Sequence, residues 1–144
     1  MRFVLDCSVA ISWCLPDESN AYADAVLILL STDTEAVVPS IWWLEIVNVL
    51  LVAERRRRTT EVQTLEALAV LRALPIIVDA NTAERSTSET LALAREYNLA
   101  AYDAAYLELA RREGLLLATI DNRLSAAARD CGVFLEEPTA EDTL

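Results

Sequence analysis

Short, almost wholly apolar runs recur along this chain, at residues 2–5 (RFVL), 36–38 (AVV), 76–78 (IIV), 115–118 (LLLA) and 133–135 (VFL). None shows the polar alternation of a strand with one wet face, so a sheet built from them must be covered on both sides. The segments between them carry helical spacing. Strands that alternate with helices in this way predict an α/β fold around a mainly parallel sheet of about five short strands, flanked by helices. Ser8 can cap a helix through Trp13 that breaks before Pro16, and Ser19 or Asn20 can open one with Ala23, Val26, Leu27 and Leu30 on one face. Further helices are expected from Ile41 to Arg55, from Thr59 or Thr60 to before Pro75, and from Asn81 or Thr82 to Tyr97. Two more run from Ala101 to Arg112, closed by Gly114, and from Asp121 or Asn122 to Arg129.

At 144 residues the chain fits a single domain with a real core, and 54% hydrophobic content sets it apart from a disordered protein. The apolar stretch around residues 41–53 is interrupted by Glu45 and Asn48, so no membrane span is expected. No signal peptide is read at the N-terminus, and Cys7, Cys14 and Cys131 show no metal-ligand spacing. Free thiols in a reducing cytoplasm are the expectation. The sequence contains neither histidine nor lysine, which removes histidine triads, Cys-His dyads and histidine-based zinc sites. Two glycines, Gly114 and Gly132, cannot build a phosphate-cradling loop. A net charge of −11 opposes a simple nucleic-acid-binding surface, although cations bound at the acids invert that logic locally. The positive charge concentrates in Arg55, Arg56, Arg57 and Arg58, either a solvated helix end or a contact for RNA or an acidic partner segment.

Four acids stand alone in apolar surroundings. Asp6 ends FVLD, Glu45 lies within IWWLEIVNVLLVA, Asp103 within LAAYDAAYL, and Asp121 closes LLLATID. Such acids are costly to ionise without compensation. If they converge, each close pair repels by roughly 4 kcal/mol at an effective dielectric near 20. With so few other chemistries available, a carboxylate site for Mg²⁺ or Mn²⁺ is the simplest expectation. Asp6 and Asp121 fall just past strand C-termini, where open α/β sheets form their ligand crevice. Glu45 and Asp103 fall near the starts of helices that can lean over the same edge. Ser8, Asn48 and Thr119 lie two or three residues from these acids.

These residues resemble the motifs of a known family. VLDCSVAISWCLPDE, PSIWWLEIVNVL, AAYDAAYLELARREG and LATIDNRL are similar, in that order, to the four acidic motifs of PIN-domain ribonucleases. More narrowly they resemble the VapC toxins of toxin–antitoxin pairs. The resemblance covers residues 2–135 and implies a PIN-like three-layer nuclease domain over 1–135 with an acidic tail at 136–144. It implies that Asp6, Glu45, Asp103 and Asp121 bind Mg²⁺ or Mn²⁺ and are catalytic, with Ser8, Asn48 and Thr119 in support. It further implies hydrolysis of RNA, of the tRNA or rRNA class, to a 3′-hydroxyl and a 5′-phosphate. The partners it implies are a cognate antitoxin and a second copy in a homodimer.

Other readings stand beside these. Helix capping accounts for Asp6, Ser8 and Asp121, an arginine pair for Glu45, and helix-dipole complementation for Asp103. Trp42 and Trp43 can serve as core or bracket a base or partner helix. A non-cleaving PIN-fold binding module is the alternative function. An Mg²⁺-dependent phosphoryl-transfer domain ranks lower, since the families that run that chemistry use a lysine this chain lacks.

Overall fold

The computed structural model describes residues 1–143; Leu144, the end of the acidic tail, lies outside the described residues. Four strands form one sheet in the order β3-β2-β1-β4: β1 (Arg2–Leu5), β2 (Glu35–Val38), β3 (Ile76–Val78) and β4 (Leu116–Ala118). All pairs are parallel. Val4 lies opposite Val37 on one side and Leu117 on the other, and Val37 opposite Ile77. Phe3, Val4 and Leu5 have no exposed surface, as expected for a central strand covered on both faces.

The expected last strand is reduced to one bridge, Phe134 beside Leu117. Leu117 donates to the Val133 carbonyl and accepts from the Leu135 amide. Glu136, Glu137 and Pro138 follow at once, and neither charge nor proline extends a buried ladder. Phe134 is held from its sides instead, by the Tyr22 ring at 6.0 Å and the Arg129 guanidinium at 4.0 Å.

The helices follow from local signals. Helix α1 (Cys7–Cys14) stops before Pro16, and α2 (Ala21–Leu30) is capped by Asn20, whose side chain accepts from the Ala23 amide. Helix α3 (Trp42–Arg55) buries Trp42, Ile46, Leu50 and Ala53 at helical spacing. Helix α4 (Glu61–Ala73) starts in a capping box of Thr60 and Gln63 and buries only Leu71. The helix expected up to Tyr97 has three parts: α5 (Thr82–Arg85), a π-helical turn at Ser86–Thr90, and α6 (Leu91–Tyr97), closed by Asn98 at φ 51°. Helix α7 (Ala101–Glu113) buries every residue from Ala104 to Ala110 and ends at Gly114, whose φ of 64° favours glycine. Helix α8 (Asn122–Asp130) is capped by Asp121. Among the described residues no helix is long and apolar enough to cross a membrane.

One ion network ties α7 to the sheet. Arg112 donates to both carboxylate oxygens of Asp79, just past β3, at 3.1 and 2.8 Å, and to Glu108 one turn earlier at 3.0–3.1 Å. All three side chains are buried to within 12% exposure, so the charges stabilise one another with little water. Burial pushes Asp79 up, but donors from Arg112 and Thr82 outweigh it and hold this acid below the ordinary range.

Candidate active site

Parallel strands put their C-terminal ends on one edge of the sheet, and β1 and β4, neighbours there, deliver Asp6 and Thr119 side by side. Asp6 occupies the N-cap position of α1 but makes no capping bond. Its Oδ2 accepts instead from the Ser8 hydroxyl at 2.5 Å and the Thr119 hydroxyl at 2.7 Å. Ser8 therefore does not cap α1. Its Oγ accepts from the Ile120 amide at 3.3 Å, and Thr119 Oγ1 accepts from the Asp121 amide at 3.1 Å. The two hydroxyls lash the end of β1 to the loop after β4, and Asp6 Oδ1 is left without a donor among the described residues.

The other three acids are graded in burial. Glu45, in the first turn of α3, and Asp103, in the first turn of α7, are half-buried, while Asp121 is exposed. Glu45 Oε1 accepts from the phenol of Tyr106 at 2.7 Å. Asp121 Oδ1 accepts from the Leu124 amide at 2.8 Å, so for this acid the capping reading is correct as far as it goes. Asp103 accepts no hydrogen bond among the described residues.

The four are one electrostatic unit. Burial pushes the Asp6 carboxyl up to about 6, its two hydroxyl partners oppose this, and Asp103 and Glu45 add to it. Burial also raises Glu45, against the Tyr106 bond and helped by Asp103. Burial and then the charge of Asp121 raise Asp103. Among the described residues no arginine pairs with any of them, which removes the salt-bridge reading of Glu45.

A hard divalent cation suits this donor set, because the unsatisfied atoms are all carboxylate oxygens. Among the described residues, however, no three Asp, Glu or Cys side chains lie close enough together to hold one metal ion between them. The acids frame a crevice rather than a finished cage. Mg²⁺ tolerates this, since it usually keeps several waters and uses one or two carboxylates plus substrate phosphate.

The sign of the Asp6 shift gives a cation-free test. A carboxyl raised from 3.8 to about 6 in the fold contributes stability that is complete below 3.8 and lost as pH rises through 6. The loss is on the order of 3 kcal/mol above pH 7. Asp6→Asn does not ionise, so in EDTA its melting temperature should gain on wild type by about 10 °C between pH 4 and pH 7. A difference that stays flat across that range would show that Asp6 ionises at no cost.

The other expected site residues make no bond to these acids among the described residues. Asn48 is exposed on α3, without a bond to Glu45 among the described residues. Arg58 donates to Asp17 at 3.0 Å and Glu18 at 2.8 Å, holding the turn after α1, while Arg55, Arg56 and Arg57 are exposed. Ten residues of helix separate Glu45 from Arg55, about 15 Å, so this run does not line the crevice. Trp42 is fully buried, and Trp43 is wedged between it (ring centroids 4.8 Å apart) and the Arg72 guanidinium at 4.0 Å. Neither ring is a free platform for a base. Nothing in the sequence marks Tyr106 as part of the site except its place within AAYDAAYL, three residues after Asp103 on the same helical face.

Solved structures share this architecture. A protein from Pyrobaculum aerophilum is similar with a TM-score of 0.63 and 22% identity, over 88% of this chain and 79% of that one. A toxin–antitoxin complex from Klebsiella pneumoniae contains a chain similar with a TM-score of 0.55 and 24% identity, over 83% of this chain and 86% of that one. No curated protein matches the sequence. The PIN domain family model matches residues 3–130, which contain all four acids and, apart from Arg2 at the start of β1, the four-stranded sheet, and the chain belongs to that family.

Proposed function

We propose that this chain is a divalent-cation-dependent endoribonuclease and the VapC-type toxin of a toxin–antitoxin pair. The observation that carries the reading is that Asp6, Glu45, Asp103 and Asp121 lie near enough to perturb one another while, among the described residues, no arginine pairs with any of them. Asp6 and Asp103, with Glu45 and Asp121 around them, are the residues that would hold Mg²⁺ or Mn²⁺. When bound, the cation acidifies a water and offsets the charge that builds on the phosphodiester during attack. The chain's own residues do the rest. Ser8 and Thr119 fix the Asp6 carboxylate through Oδ2 and leave Oδ1 for the cation. Asp103, raised by burial and by the charge of Asp121 and without a donor among the described residues, accepts the proton of the attacking water on the oxygen that would not hold the cation, as a base poised nearer neutrality than an ordinary aspartate. As the water oxygen bonds to phosphorus, the bond to the 3′-oxygen breaks, and that oxygen takes a proton from solvent water to leave as a 3′-hydroxyl opposite a 5′-phosphate, while Asp103 returns its proton to solvent.

The substrate in this reading is cellular RNA of the tRNA or rRNA class. The partners are a protein antitoxin, supported by the toxin–antitoxin complex that shares the fold, and a second copy of the chain. Leu44, Val47 and Leu51 along α3, and Val62, Leu65 and Val70 along α4, are exposed apolar side chains available to them. The test is cleavage of total tRNA and rRNA by the purified protein. Cleavage should require added Mg²⁺ or Mn²⁺, cease in EDTA and return on re-addition. Cleavage that persists in EDTA sinks the cation-dependent reading, and RNA binding without cleavage would favour a binding module.

A further inference from the structure

A single buried phenol joins three of the elements that build the crevice. Tyr106 has no exposed surface, and its hydroxyl lies 2.7 Å from Glu45 Oε1 and 3.4 Å from the backbone nitrogen of Cys7, the residue after Asp6. The direction of the proton is settled by chemistry. The Cys7 N–H has only a hydrogen to give, so the phenol accepts there and must spend its one proton on Glu45. Glu45 otherwise has three rotatable bonds, and holding its carboxylate in one orientation means giving up that rotamer freedom. The bond occupies Oε1 and leaves Oε2 without a donor among the described residues. Tyr106 also sits one turn beyond Asp103, so its helix face carries both the acid and the group that orients its neighbour.

We propose that Tyr106 is a positioning residue of the cation site, holding the Glu45 carboxylate with Oε2 presented to the ion. This rests on the metal-dependent nuclease reading given above. Partners of metal-ligating side chains typically carry 10- to 100-fold in metal affinity or activity.

The experiment is Mn²⁺ titration calorimetry without RNA on wild type, Tyr106→Phe, Glu45→Gln and the double variant, with cleavage measured against Mn²⁺ concentration. Phenylalanine keeps the ring and its packing and removes only the hydroxyl. Tyr106→Phe should bind Mn²⁺ about 10-fold more weakly, and excess Mn²⁺ should restore most of its cleavage. In the Glu45→Gln background the same substitution should change affinity by less than about 2-fold. Wild-type affinity in Tyr106→Phe, or an equal loss with and without Glu45, overturns the role. Failure of the nuclease reading looks different, because wild type itself then takes up no Mn²⁺. The role falls with it in that case, and melting of the metal-free variants then shows whether the bond exists at all: non-additive losses for Tyr106→Phe and Glu45→Gln mark it, additive losses deny it.

Discussion

Asp6→Asn and Asp103→Asn are each expected to lower cation-dependent RNA cleavage by at least about 100-fold, the scale on which removal of one electrostatic group at a reacting centre usually falls. The two fail for different reasons. Asparagine at 6 still accepts from Ser8 and Thr119 but no longer brings a charge to the most buried point of the crevice. Asparagine at 103 removes the acid proposed to take the proton of the attacking water. Asp121→Asn should lose less, because Asp121 is exposed and asparagine keeps the cap on α8. The comparison is informative because Asp6→Asn should be the more stable protein above pH 6 while being nearly inactive, so lost cleavage is not lost folding. Near-wild-type cleavage in both variants would remove the carboxylate mechanism.

Arg112→Met should destabilise the fold by about 3 kcal/mol. Removing one partner of a buried charge network typically costs roughly 3–5 kcal/mol, because the remaining charge stays buried and unpaired. Here two carboxylates, Asp79 and Glu108, would be left facing each other across the vacated guanidinium. The low end of the range is expected because Arg112 and Glu108 line a cavity of about 380 Å³ through which water can enter. Adding Asp79→Asn and Glu108→Gln to Arg112→Met should recover most of the loss, as should acid pH. Denaturant unfolding measures all three proteins. A loss below about 1 kcal/mol for the single variant would place the network among solvated surface pairs.

That network also explains what the sequence could and could not reveal about the site. An acid alone in apolar surroundings describes Asp6 and Glu45, but it describes Asp79 after IIV and Glu108 within YLEL equally well. Those two are structural, neutralised by an arginine that is near in sequence to Glu108 but far from Asp79. Composition and local context show that a carboxylate needs a partner; only the fold shows whether that partner already exists. The same limit hid Tyr106, whose link to Glu45 spans 61 residues. Elements were more legible, because strand burial and helix caps are written within a few residues: Asn20, Thr60 with Gln63, Gly114 and Asp121 all act where they stand. The π-helical turn at Ser86–Thr90 was not legible, since nothing local distinguishes STSET from an ordinary helical turn. The last strand failed in the opposite way, its apolar run being real but too soon followed by charge and proline.

The register of β1 has a consequence for how the protein is made. Its first residues pair on one side with residues 35–37 but on the other with 116–118, so the central strand has no second neighbour until most of the chain exists. The crevice has the same dependence: Asp6 finds its Thr119 donor, and Glu45 its Tyr106 donor, only across long spans of sequence. Contacts this distant are formed late, after the entropy of closing the intervening loop has been met. A growing chain on the ribosome, surrounded by RNA, therefore carries the first two acids through the middle of its synthesis without the second two. Assembly of the crevice is deferred until β4 arrives, and a truncated product that stops short of it lacks Thr119 and Asp121.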